Sequence, residues 1–412
     1  MKSVQEALDQ MMPAFVPLGV ERVTLDAARN RYLGEDILAR TDLPLFANSS
    51  MDGYAVRAVD TDGATPESPR VIEVVAESRT GGPTPPPLAP GTAIRIFTGA
   101  VVPEGADAVV MQENTSAEGS RVLVRHAVTA GNFVRPRGGD LAQGSIMLAL
   151  GARLGPGEIG LLAAQRISAV SVFRRPRVAI ISTGDELRDV HEPSAPGAIV
   201  NSNAYALAAL VSDAGAEPVV LPNVPDQMPA TLAALRAGLR ADVVLTIGGV
   251  SVGDYDLVKD AFTELGIEAG FWKVRVKPGK PLIFGRRDTT PVVGLPGNPM
   301  SAMVTFEALV RPGLRAMQGD PRPYRVRHLL PLAVPHRHAT GRLELARARV
   351  ASVDGRLTAT PLRLQESASL PSWVDVDALL VLAEDRATYD EGEVVPAVYL
   401  RDETGSATNP FV

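Results

Sequence analysis

Cysteine is absent from this 412-residue chain, and its absence removes disulfide cross-linking, thiolate catalysis and thiolate metal binding together. The five histidines are scattered and give no spacing for a zinc site, so any metal is expected to be a hard, oxygen-liganded cation. Nor is there an excess of positive charge. With 41 Lys+Arg against 47 Asp+Glu the net charge is -6, which leaves no electrostatic footprint for nucleic acid and makes basic residues act locally. No apolar run is long enough to span a bilayer, and the first residues, MKSVQEALDQMMPAF, mix charges into an amphipathic helix pattern instead of a signal's apolar core. The expectation is a cytoplasmic protein with no membrane or nucleic-acid partner. Aromatic residues are scarce at 5%, while 37 glycines and 34 prolines imply many turns, short strands and small-residue helices. At this length, with 45% hydrophobic residues, two to four globular domains are expected.

What is present centres on residues 241–256, ADVVLTIGGVSVGDYD. An apolar strand breaks into Gly248-Gly249 and then Ser251, Gly253, Asp254 and Asp256. Glycines let backbone N–H groups approach an anion without a Cβ in the way, and the carboxylates beyond could hold a divalent cation against it. A plain tight turn after a strand has the same short pattern.

In chain order, Ser3 to Met12 has helical spacing, and a second helix-like stretch, Thr24 to Ala28, precedes the Gly34 turn. In NSSMDGYA, Asp52-Gly53 forces a turn that displays Asp52. From Val71 to Leu150 short alternating runs (VIEVV, AIRIF, AVVM, RVLVR, SIMLAL) predict a compact all-β module, with Thr98-Gly99 after one strand. RPRGGDL then sets Arg135, Arg137 and Asp140 on a glycine-bearing turn, which suits a phosphate or metal as well as a solvated loop. A helix is predicted from Pro156 to Gln165.

From Arg177 the pattern becomes strand, turn, helix, repeated, which predicts a mainly parallel sheet covered by helices, with ligands beyond the carboxyl ends of the strands. Thr183-Gly184-Asp185-Glu186, Asp226 and the Gly248 to Asp256 loop should share that rim. Further on, Lys273, Arg275 and Lys277 read as alternating on one face of a strand, with Lys280 after the Pro278-Gly279 turn. Cations so close call for an oxyanion, although lysines also keep edge strands soluble. Pro296 and Pro299 frame a rigid turn aiming Gly297 and Asn298 at the same rim. After Gly319 short strands (LLPLAV, LELARARV, RLTATPL, ALLVLAED, VVPAVYL) predict a small β-barrel or sandwich, in which Arg342, Arg347, Gln365 and Ser367 are unremarkable by spacing.

NSSMDGYA, RIFTGA, RGGD, STGDEL, IGGVSVGDYD, KPGKP and LPGNP follow one another across most of the chain. In this order they resemble the molybdopterin molybdenumtransferases, the family that includes the E domain of gephyrin. The resemblance implies transfer of molybdenum from molybdate to adenylylated molybdopterin with release of AMP, assisted by Mg²⁺. It implies a multidomain α/β plus β fold: a helical linker (1–45 and 145–175), a β-rich module (46–144), an α/β molybdopterin-binding domain (176–320) and a C-terminal β-barrel (321–412). It also implies a homodimer with a composite site, and as partners the molybdopterin adenylyltransferase and downstream molybdoenzyme maturation proteins. Catalytic positions carried over are Asp52, Asp140, Asp185, Glu186, Asp226, Lys277 and Lys280. Ligand-binding positions are Thr98, Thr183, Gly184, Gly248, Gly249, Ser251, Gly253, Asp256, Pro296, Gly297, Asn298, Pro299, Arg347 and Ser367, with Asp185, Glu186 and Asp256 as the metal set. Asp52 and Asp140 would reach the site from the second subunit. One departure is Gly139, where many relatives carry Glu. An adenylyltransferase-like enzyme built on the same α/β domain, or a gephyrin-like scaffold, are the competing readings.

Overall fold

The computed structural model describes residues 1–249, 257–353 and 355–401, so Ser251, Gly253, Asp254 and Asp256 lie outside the described residues. The chain forms two compact units: Met1–Gly34, Gly151–Gly155 and Ala169–Val412 in one, Glu35–Leu150 and Pro156–Ser168 in the other.

In the first unit the apolar runs become a six-stranded sheet in the order Glu217–Val220, Arg177–Ser182, Val243–Ile247, Thr290–Leu295, Pro281–Arg287, Glu268–Lys273. The first four are mutually parallel and the last two antiparallel, so the sheet is mainly parallel as predicted. All five residues of Val243–Ile247 are buried, which is why that strand reads as a continuous apolar run. Successive side chains feed opposite cores. Ile180, Leu245 and Val293 pack with Leu207, Met300 and Phe306, while Ile181, Val244 and Val292 pack with Leu235 and Phe262. The Val4–Met11 helix starts with a capping box between Ser3 and Glu6 and buries Ala7 and Met11 in the first of these cores.

A second sheet follows, ordered Val276–Lys277, Leu343–Val353, Ala378–Leu382, Val394–Tyr399, Arg327–Pro331, with Arg356–Pro361 on the free side of Leu343–Val353 and a single bridge from Leu332 to Ala359. It has its own core of Leu330, Ala346, Leu380, Leu382 and Val395. Here the structure corrects the sequence reading. Lys273, Arg275 and Lys277 do not share one strand face, because the chain leaves the α/β sheet after Lys273 and pairs Val276–Lys277 in parallel with Leu343–Glu344. Arg275 is met by Glu384 at 3.2 Å and Lys277 by Glu344 at 2.9 Å, so carboxylates already offset the repulsion that suggested an oxyanion.

The second unit is a six-stranded sheet ordered Ala108–Met111, Gly53–Val56, Thr92–Ile96, Arg70–Ser78, Arg121–Val124, Thr115–Glu118. Its two faces bury Val56, Ile72 and Val110 on one side and Ala55, Ile94 and Ile96 on the other. The Pro156–Ala164 helix belongs to this unit and ends at the buried Gln165, whose Oε1 accepts from Arg40 N at 2.7 Å and Thr41 N at 2.9 Å. Thr24 to Ala28 is not helical: Val20–Thr24 pairs with Ala169–Phe173, and a turn follows. The β-branched residues Val20, Val23 and Thr24 favour that strand over a five-residue helix with no second turn.

Gly313 lies within the Arg311–Met317 helix, where alanine would ordinarily help. A Cβ there would fall 2.5–2.7 Å from ring carbons of Phe15. Gly313→Ala is therefore expected to destabilise by about 1–3 kcal/mol through overpacking, read as a lowered thermal midpoint, and Phe15→Leu in the same chain should recover part of it.

Candidate functional site

The carboxyl ends of the parallel strands and the edge of the second sheet enclose a cleft of about 1150 Å³ within the first unit. Its floor at the strand ends is backbone. Gly248 and Gly249 have φ of 85° and 63°, and a Cβ on them would meet Thr183 O at 2.9 Å and Val258 Cγ2 at 2.7 Å. Only glycine is tolerated at both, which leaves a bare surface suited to close approach of a phosphate. Gly297 touches this surface from the next loop, its Cβ direction pointing to Gly248 Cα at 3.8 Å. Asn203 Nδ2 donates to Gly297 O at 2.6 Å and Asn298 Nδ2 to Ser367 Oγ at 2.9 Å, so the Pro296–Pro299 turn is fastened on both sides.

One end of the cleft carries Glu186 in its lining, and Asp185 and Asp226 adjoin that acid without lining the cleft themselves. Glu186 is folded back over Gly184, where a Cβ would fall 2.6 Å from its carboxylate. Asp185 Oδ1 accepts from Asp226 N at 3.1 Å. Burial, and then the charges of Asp185 and Glu186, push the Asp226 carboxyl above its ordinary range. Among the described residues no three His, Asp or Glu side chains converge closely enough to hold a metal by themselves.

The other end is mainly cationic, lined by Lys277, Lys280 and Arg342 with Ser301, Gln365 and Ser367, and by one acid, Glu366. Lys280 is exposed and has no ion-pair partner among the described residues. Gly279 between the lysines has φ of 114°, and a Cβ would strike Thr305 Cγ2 at 2.2 Å, so the KPGKP turn needs a glycine there. Arg347 is fully buried beneath the wall. Its Nη2 donates to Leu364 O and Glu366 O at 2.9 and 3.1 Å, and Gln365 bonds the Arg347 backbone, which fixes the loop carrying Ser367. Among the described residues its Nε and Nη1 have no hydrogen-bond partner. Burial lowers the Arg347 pKa, opposed by the charge of Glu344.

Of the positions picked from sequence, the cleft brings together Glu186, Gly248, Gly249, Lys277, Lys280, Pro296, Gly297, Asn298 and Ser367. Thr183, Gly248, Gly297 and Pro299 line a small recess beside it. Asp52, Thr98 and Asp140 belong to the second unit. There Thr98 N and Oγ1 both donate to Asp52 Oδ1 at 2.7 Å, holding that carboxyl below its ordinary range, and Asp140 pairs with Arg135.

The family signature described as MoeA N-terminal region (domain I and II) matches residues 2–165, that described as probable molybdopterin binding domain matches 179–316, and MoeA C-terminal region (domain IV) matches 330–400. A molybdopterin molybdenumtransferase 2 of Mycobacterium tuberculosis is 43% identical over 82% of this chain and 83% of its own length. The chain belongs to the molybdopterin molybdenumtransferase family. A molybdopterin molybdenumtransferase of Bacillus subtilis is 36% identical over 94% of this chain and 91% of its own. The crystal structure of a molybdopterin biosynthesis moeA protein from Pyrococcus horikoshii OT3 superposes with a TM-score of 0.84 at 30% identity, covering 97% of this chain and 100% of that one.

For a molybdenumtransferase-family chain, the residues missed from sequence are Ser301, Asn203, Glu366, Glu344, His336 and His338. Ser301 carried a readable signal, lying in the first turn of a helix aimed by Pro299. The histidines carried none, because the His336–Arg337 strand pairs with Thr388–Tyr389 and not with the strand of Glu344, so no strand register links them in sequence.

The raised Asp226 pKa sets a sign. An acid easier to protonate in the folded state costs stability as pH rises through its pKa and none below the unfolded value. Asp226→Asn is expected to raise the thermal midpoint at pH 7, with the gain fading as pH falls toward 4 (about the ordinary aspartate range); melts across that window check it.

Proposed function

We propose that this chain is a molybdopterin molybdenumtransferase, transferring molybdenum from molybdate to adenylylated molybdopterin and releasing AMP. The observation that carries the reading is one cleft with a glycine-bare phosphate surface between an acidic end and a cationic end. A phosphoanhydride substrate needs backbone donors at its phosphates, and Gly248 and Gly249 offer them. Molybdate is a tetrahedral dianion that cations and hydroxyls hold; Lys277, Lys280, Arg342, Ser301 and Ser367 are those groups here. The buried Arg347, with two nitrogens unpartnered among the described residues, adds positive potential beneath the same wall.

A Mg²⁺ ion suits the acidic end. Asp185 and Glu186, two of the three metal positions expected from sequence, are hard oxygen donors whose repulsion with Asp226 a cation would relieve; the third, Asp256, lies outside the described residues. Phosphate oxygens would complete a coordination that these carboxylates alone do not close. When bound, the ion would neutralise charge developing on the phosphoanhydride. The protein's own side chains bind and orient: the glycine loop seats the phosphates, and the lysines hold the oxyanion near them. In the second unit Thr98 keeps Asp52 ionised, as a carboxylate serving a composite site would need, and Asp140 would serve there too. Asp52, Thr98 and Asp140 reach that site from the other subunit of a homodimer. We place this enzyme in the cytoplasm, receiving substrate from the adenylyltransferase and passing cofactor to maturation proteins.

The test is AMP release from adenylylated molybdopterin on adding molybdate and Mg²⁺ to the purified chain. Lys280→Ala should raise the molybdate concentration for half-maximal release at least tenfold, about 1.4 kcal/mol of binding. Release that is indifferent to molybdate, or ATP-dependent adenylylation of molybdopterin by the chain, defeats the reading.

A further inference from the structure

Glu344 stands behind the cationic wall, 2% exposed, on the strand that pairs with Val276–Lys277. Its Oε1 lies 2.9 Å from Lys277 Nζ, and its Oε2 lies 3.3 Å from both His336 Nε2 and His338 Nδ1. The His338 ring stacks against His336 and Tyr389, with centroids 6.3 and 5.9 Å away, so the imidazoles are held in place themselves. One carboxylate oxygen is thus bonded to His336, with the His338 ring beside it making no hydrogen bond among the described residues, and the other faces the lysine. Burial alone would favour the neutral acid, but hydrogen bonds from His336 and Lys277 outweigh it and hold Glu344 below the ordinary carboxylate range. It is an anion at neutral pH.

An ammonium has three N–H donors, and a lysine stem is flexible enough to swing them into solvent. The Lys277 side chain is 32% exposed and lines the cleft. We infer that Glu344 is a positioning residue for oxyanion capture: it takes one donor of Lys277 and so leaves the other two at the cleft, while His336 holds Glu344 in turn. A carboxylate this close to an anion site would repel the ligand if it stood alone. The ammonium of Lys277 and the buried guanidinium of Arg347 lie close to it and offset that charge. The inference rests on reading the cleft as the molybdate site.

Calorimetric titration of molybdate into the full chain tests it, using Glu344→Leu, Glu344→Gln, Lys277→Ala and the Glu344→Leu/Lys277→Ala double variant. Lys277→Ala should weaken binding at least tenfold and Glu344→Leu by a similar factor, with the double variant no weaker than Lys277→Ala alone. Glu344→Gln keeps an oxygen acceptor for the ammonium and should stay within threefold of the parent. Wild-type affinity in Glu344→Leu, or losses that multiply in the double variant, overturns the inference, since a general loosening of the sheet would not depend on Lys277. If Glu344→Leu does not fold, Glu344→Ala takes its place on the same criteria: unchanged affinity, or a loss that multiplies with Lys277→Ala, overturns the inference. A parent chain that binds no molybdate defeats the cleft assignment, and this inference falls with it.

Discussion

Two residues, Val276 and Lys277, tie the α/β sheet to the C-terminal sheet, and the cleft exists because they do. The chain leaves the first sheet after Lys273, pairs in parallel with Leu343–Glu344 of the second, and returns at Pro281 to run antiparallel to Glu268–Lys273. So short an excursion demands a sharp return, and Gly279 makes it where any side chain would strike Thr305. The wall of the cleft that carries Lys277 and Lys280 is this excursion. Its position follows from backbone pairing and sterics before any ligand is considered.

Charge is divided along the cleft for the same structural reason. The acidic end comes from loops leaving parallel strands, where Asp185 and Glu186 follow Gly184 and Asp226 follows Val224. The cationic end comes from the seam with the second sheet, whose interior supplies Arg347 and Glu344 as buried supports. A substrate that joins a phosphoanhydride to a metal-accepting pterin needs opposite electrostatics at its two ends, and two sheets meeting edge to rim provide them.

Much of the scaffold was legible. Parallel strands buried on both faces read as plain apolar runs, and Arg177–Ser182, Val243–Ile247 and Thr290–Leu295 stand where those runs predicted. The second unit's strands also match their alternating segments. Glycine and proline marked the loops of the site, because positive φ at Gly248, Gly249 and Gly279 admits little else. Period-two spacing failed at Lys273, Arg275 and Lys277. Alternation assumes that a strand stays in one sheet, and this one changes sheets.

The order of the motifs by itself determined the family, the mainly parallel α/β domain and the lysines and glycines of the cleft, since local sterics and apolar patterning are written into neighbouring residues. Tertiary structure alone decided that Arg347 lies under the wall holding the Ser367 loop, that Asp226 feels two other acids, and that Glu344 joins Lys277 to His336. Apart from His336 and Glu344, eight positions apart, those relations span 17 or more positions, and only strand pairing and burial bring the groups within reach of one another.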